Sequence, residues 1–205
     1  MILKKPSIYD ELQMNEDFTP IEVGGHKGII LGIQEYKNEE TGNTSLKVIV
    51  DTDKTDKQPS YFKDLFESDT RSEKKWSNQA IKYVSLKDDE NCVKMLKAFI
   101  TAVENSNSNF TYDWDKDIDQ LKNKKVGLVF GLEEYQKQQG EIKVITKLNQ
   151  FRSIDKIDNV KIPKVKLIDG STIDYEEYKN KKNSSNVTSS NDVVEFDPSS
   201  DKLPF

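Results

Sequence analysis

The residues best suited to chemistry are few, and their spacing can be tested one cluster at a time. Glu141-Ile142-Lys143 has the spacing of the carboxylate–lysine half of a metal-dependent nuclease motif. There the acid would bind Mg²⁺ and the lysine would assist the attacking water. Such tripeptides are frequent in charged strands, and no convincing Pro-Asp partner stands upstream. Asp113, Asp115, Asp117 and Asp119 alternate like the start of a calcium-binding loop, yet Ile118 stands where that loop needs glycine and Lys124 where it needs glutamate. An acidic helix start explains them better. Gly24, Gly25 and Gly28 surround His26 and Lys27, but this glycine-rich stretch precedes a strand instead of joining strand to helix, so no phosphate-loop template fits. His26 is the only histidine and Cys92 the only cysteine, which excludes a multi-histidine metal centre, a cysteine-built zinc site and an internal disulfide. The expectation is a binding protein with no catalytic residue, no cofactor and no metal.

A binding pattern is easier to find. Single-stranded nucleic acid is held by cations that track phosphates and by aromatic faces on which bases stack. Tyr36, Lys37, Lys47, Lys143, Lys147, Phe151 and Arg152 all fall on outward positions of strands read from the sequence. Lys74, Lys75 and Trp76 cluster in one loop, and Trp114 closes an aromatic loop with Phe110 and Tyr112. Large aromatics bury most of their surface in most proteins, so Trp76 and Trp114 taken singly read as structural. The coincidence of bases and rings on the same strands is what favours a nucleic-acid groove.

Alternation of apolar residues predicts a strand over residues 26–36, with Ile29, Leu31 and Ile33 on one face and Ile30, Gln34 and Tyr36 on the other. A turn at residues 38–44 leads to a second strand over 45–52, with Leu46, Val48 and Val50 inward. Residues 61–66 and 80–85 are short ordered candidates. A helix is predicted from an N-cap at Asp88 or Asp89 to about Glu104, burying Cys92, Leu96, Phe99, Ile100 and Val103, so Cys92 reads as a small core residue. Strands over 125–135 and 141–151 follow, the latter with Ile142, Val144 and Leu148 inward. Strand, strand, short strand, helix, strand, strand is the element order of an OB-fold, a five-stranded Greek-key barrel; a generic α+β sandwich satisfies the same order. The expected fold is therefore mainly β with one main helix, followed by a disordered tail. The expected organisation is an N-terminal arm (1–19), an OB-fold domain (20–166), a linker (167–191) and an acidic interaction tail (192–205).

The chain has 205 residues, 33% of them charged and 34% hydrophobic, with a net charge of −5. That composition supports one core but not one extending over the whole length. The charge is uneven: residues 1–120 carry −7, residues 121–166 carry +6 and residues 167–205 carry −4. A basic block in an acidic chain suits an anionic polymer, although solvated lysines on exposed strands produce the same sums. No apolar run reaches the roughly 18 residues that span a bilayer, and the first ten residues lack a signal-peptide core. The expectation is a cytoplasmic protein that does not enter the membrane.

Residues 195–205 end in Leu203, Pro204 and Phe205, with Asp197 and Asp201 before them. This resembles the acidic tip of bacterial single-stranded-DNA-binding proteins, which place aspartates before an aliphatic residue, proline and phenylalanine; Lys202 stands where that tip has aspartate. A terminal aromatic with its α-carboxylate can enter an apolar pocket rimmed by Arg or Lys. The body, over about residues 20–165, resembles a family of phage and mobile-element proteins from Gram-positive bacteria, a domain of unknown function. The matching stretches are residues 24–30, 61–76, 104–109 with 112–115, and 125–140. The resemblances imply a single-stranded-DNA-binding protein of phage or mobile-element replication and recombination, in a bacterial cytoplasm. The tail residues Asp197, Asp201, Leu203, Pro204 and Phe205 would recruit host or phage replication and recombination proteins. Self-association is compatible with this reading. A recombination adaptor with weak DNA binding, or the nuclease suggested by Glu141 and Lys143, are the rivals.

Overall fold

Two-residue alternation over the first third of the chain builds a β-hairpin, β1 (Gly24–Lys37) and β2 (Thr44–Thr52). The computed structural model describes residues 19–137 and 140–185. The tail residues Asp197, Asp201, Leu203, Pro204 and Phe205, and the arm over residues 1–18, lie outside them. Asn38 caps the hairpin turn, its side chain accepting from the N–H groups of Glu40 and Thr41 at 3.0 and 2.8 Å. The chain continues through α1 (Tyr61–Ser68), β3 (Ile81–Ser85), α2 (Glu90–Ser106), β4 (Lys125–Gln136), β5 (Ile142–Arg152), two short strands β6 (Val165–Lys166) and β7 (Thr172–Ile173), and α3 (Tyr175–Ser185). The architecture is mainly β.

The long first strand serves two neighbours. Its first half pairs antiparallel with β4, from Gly24 opposite Phe130 to Ile29 opposite Lys125, and its second half pairs with β2. β3 pairs with β2, and β5 pairs with β4, so these five strands run β3-β2-β1-β4-β5. β6 lies parallel to β4 at Glu133, beside the stretch that β1 does not reach, and β7 pairs with β6. The hydrogen-bonded sheet has seven strands and is open, where a five-stranded closed barrel was expected. The end strands β3 and β5 approach one another without forming a ladder. Among the described residues no helix is long and apolar enough to cross a membrane.

Two bulges reset the faces. Between Ile30 and Gly32 the β1–β2 register slips by one, leaving Leu31 unpaired. Ile30 and Ile33 are therefore both buried and Leu31 is 40% exposed, where simple alternation put Leu31 with Ile33. A second slip between Val129 and Phe130 leaves Asn149 unpaired in β5. Leu148 and Phe151 both turn inward as a result, and Phe151, expected outside, is only 6% exposed against Phe99 at 4.6 Å. Ile142, expected inside, is 50% exposed.

The core is filled from both halves of the sheet by Val48, Val50, Leu128 and Phe130, with Phe62 of α1 and Phe99 and Val103 of α2. Each such side chain contributes about 1.5–3 kcal/mol of burial. Asp89 caps α2 by accepting from the N–H groups of Asn91 and Cys92, and Cys92 is half-buried. At the other end Asn107 joins α2 to β4: its amide donates to the Val103 and Lys125 carbonyls and accepts from the Lys125 N–H. The outer face of β4 is covered by the segment after β5, because Gly127 leaves room for Ile157. A Cβ at Gly127 would sit 2.4 Å from Ile157 Cγ2 and 2.7 Å from the Arg152 carbonyl oxygen. Residues 167–185, read from sequence as linker, carry β7 and α3. Val165, Ile173 and Tyr178 form a satellite core there with Leu132 and Val144, and the Tyr178 hydroxyl donates to Glu134 at 2.9 Å.

Candidate nucleic-acid interface

The register across β1, β2 and β3 assembles one outward face. Gln34 lies opposite Lys47 and Tyr36 opposite Ser45, while Lys47 in turn lies opposite Tyr83 of β3. Ile33, Leu46, Val48 and Val84, on the other face, are buried. Tyr36 and Tyr83 meet with ring centroids 5.1 Å apart and planes tilted by 58°, and Tyr83 is 42% exposed. Burial, reinforced by the neighbouring Tyr36, raises the Tyr83 hydroxyl above its ordinary value, so it stays a neutral donor. Lys47 is half-exposed and Lys37 exposed at the end of β1, and neither makes an ion pair with a described residue. The face thus offers two adjoining rings and Lys47, while Lys37, next to Tyr36 in β1, has the register parity of Ile33 on the other face.

It runs into a cavity of about 180 Å³ where β3 faces β5. Lys82 and Tyr83 enter from β3, Lys147 from β5, Lys166 from β6 and Glu133 from β4. The Lys147 and Lys166 ammonium groups lie 3.7 and 3.8 Å from the two oxygens of the Glu133 carboxylate. Lys82 has no acidic partner among the described residues. Burial, then the charges of Lys166 and Lys147, push its pKa down, with Glu133 opposing. Lys82 occupies a core-side register position, opposite the fully buried Val48, at the edge where the sheet stops.

Of the residues expected to bind, Tyr36, Lys47 and Lys147 come together around this face, and Lys37 stands at the end of β1 on the opposite register parity. Lys143 lies further along β5, its ammonium 3.1 Å from Glu141. Among the described residues no group of three His, Cys, Asp or Glu side chains is placed to hold a metal ion. Trp76 is half-buried at the opposite end of β2, its indole N–H donating to the Val50 carbonyl at 3.2 Å and its ring against Phe66. Lys74 donates to the Glu67 carbonyl beside it, and Lys75 is exposed. Trp114 is 70% exposed on a separate loop, with its ring edge on Tyr112. Arg152 is exposed at the far end of β5, and Phe151 belongs to the core.

Tyr83, Lys82 and Lys166 are the additions that sequence reasoning missed. The alternation of Ile81, Tyr83 and Ser85 was visible, but five residues do not say which neighbour sets the register. His26 is fully buried: Nδ1 lies 2.8 Å from Asp56 Oδ1 and Nε2 3.1 Å from the Glu22 carbonyl, with its ring edge-on to Phe130. It braces the loop after β2 and is closed to solvent. The chain matches no protein-family model and no curated protein, so the interface is read from its own chemistry.

Proposed function

We propose that this protein binds single-stranded nucleic acid, DNA in the first instance, along the outward face of β1–β3. The observation that carries the reading is the Tyr36–Tyr83 pair beside Lys47, continuous with the lysine-lined cavity between β3 and β5. Adjoining rings stack successive bases without regard to sequence, and flanking cations follow the backbone. We read the open sheet as an unclosed OB-type barrel, in which β3 and β5 approach without hydrogen bonds between them, and this supports the same reading. Its strand order, the sharing of β1 between β2 and β4, and the position of α2 between β3 and β4 are those such a barrel needs. In such barrels the second and third strands and the loops after the first and fourth strands carry the oligomer. Here the first of those loops is residues 38–43.

In this reading the protein coats strands exposed during phage or mobile-element replication and recombination. Asp197, Asp201, Leu203, Pro204 and Phe205 would recruit partner proteins and leave the groove free. Titration of the full chain with labelled oligo-dT and with a duplex of equal length, at several salt concentrations, tests it. Preference for the single strand with a salt-dependent affinity is the expected result. Equal binding of both, or none at low salt, refutes it.

A further inference from the structure

We propose that the cavity between β3 and β5 is a phosphate site, in which Lys82, Lys147 and Lys166 receive one phosphodiester of a strand whose adjoining base lies on Tyr83. The inference deepens the nucleic-acid reading and rests on it. Three ammonium groups share a single carboxylate, Glu133, and that carboxylate holds only two of them within 4 Å. A half-enclosed cavity with this excess of positive charge is completed by an oxyanion, which offers several acceptor oxygens where Glu133 offers two. The volume of about 180 Å³ is several times the roughly 30 Å³ share of one water and admits a phosphate group. Tyr83 lines the cavity and also forms the ring pair, so stacking surface and charge meet on one residue.

A rival account exists for one of these residues. A lysine pointing inward on an edge strand discourages pairing with a second chain. That explains Lys82, but it does not explain why Lys147 and Lys166 converge on the same space from β5 and β6. Glu133 separates the accounts. If it is a stand-in that the phosphate displaces, its charge opposes binding. If its ion pairs only hold β5 and β6 in place, removing it loosens the site.

The test uses the full chain with two probes, inorganic pyrophosphate and oligo-dT. For the wild type, pyrophosphate is expected to raise the melting temperature at low salt and to compete with oligo-dT. The Lys82→Gln/Lys166→Gln variant is expected to lose that protection, to bind oligo-dT about tenfold more weakly at low salt, and to flatten the slope of log K against log salt by about 0.7, the value of one single-strand phosphate. Glu133→Gln is expected to bind both probes several-fold tighter. Tyr83→Ala is expected to weaken oligo-dT binding alone. Because Glu133→Gln changes affinity in the opposite direction, a loss of folding in the double variant cannot imitate the whole pattern. Oligo-dT binding with an unchanged salt slope in the double variant, or weaker binding by Glu133→Gln, overturns the site while leaving the nucleic-acid reading intact. Failure of wild-type protein to bind oligo-dT overturns that reading, and the phosphodiester as occupant with it. Increased self-association of Lys82→Gln with unaltered binding of both probes favours the edge-protection account.

Discussion

Replacing Tyr83 by alanine separates stacking from folding, because its ring lies on the outward face while the residues beneath it belong to the core. Tyr83 is 42% exposed, and its cross-strand neighbour Lys47 and ring partner Tyr36 are likewise on the surface side. An exposed cross-strand contact such as Tyr83 with Lys47 contributes about 0.2–1 kcal/mol to stability, so Tyr83→Ala should unfold at nearly the wild-type urea concentration. Loss of one stacked base costs about 1–3 kcal/mol, which is about a five- to 150-fold weaker oligo-dT affinity. Anisotropy of a labelled oligo-dT between about 50 and 200 mM salt gives that ratio and a second discriminator. Removing a neutral ring shifts log K equally at every salt concentration, whereas removing a lysine changes the slope. With ring centroids 5.1 Å apart, Tyr36→Ala and Tyr83→Ala should also be non-additive by about 0.5 kcal/mol or more. A folded Tyr83→Ala that binds within about twofold of wild type refutes the placement of bases on this face.

Other expectations follow from the core, the buried His26–Asp56 hydrogen bond and the charge pattern. Phe151→Ala removes a ring packed on Phe99 and should cost about 3–5 kcal/mol in urea denaturation, and a loss of oligo-dT binding without a loss of stability would restore Phe151 to the binding surface. Burial alone would raise the Asp56 carboxyl, but donation from His26 and from the Gln58 and Lys27 N–H groups outweighs it and holds the group below the usual carboxylate range. A carboxyl depressed on folding stabilises the protein above its unfolded pKa of about 3.9, and that stability is lost as pH falls through the folded value. Asp56→Asn should therefore be about 1.5–3 kcal/mol less stable near neutrality and show a shallower acid limb below about pH 4; identical limbs in urea titrations would argue that Asp56 is not the group responsible. Deleting residues 192–205 removes four acidic side chains and one basic one, and should tighten oligo-dT binding at low salt, with unchanged affinity across a salt series counting against competition by the tail.

What could be read from sequence was whatever depends on neighbours within one element. Leu46, Val48 and Val50 alternate without interruption and are buried as expected, and Asp89 announces α2 because a carboxylate before an apolar helical stripe has N–H groups to accept from. Position between elements was not legible in the same way. Lys82 and Lys166 are unremarkable lysines until β3 is brought beside β5 and β6 beside β4. The satellite core over residues 165–178 escaped notice because Val165, Ile173 and Tyr178 are spaced by polar residues and find each other only on the sides of Leu132 and Val144. The bulges are the sharpest case. Strict alternation through β5 would place Leu148, Gln150 and Arg152 inward and Phe151 outward. That arrangement would bury a guanidinium, which costs several kcal/mol without a partner, and would expose a ring that now fills space against Phe99. Skipping Asn149 reverses both outcomes, at the expense of one interrupted ladder position. The core thus selects the bulge, and the bulge takes Phe151 away from the outward face that alternation assigned it. The groove is left to Tyr36 and Tyr83, whose strands meet β2 in uninterrupted register from Gly32 to Lys37 and from Ile81 to Ser85.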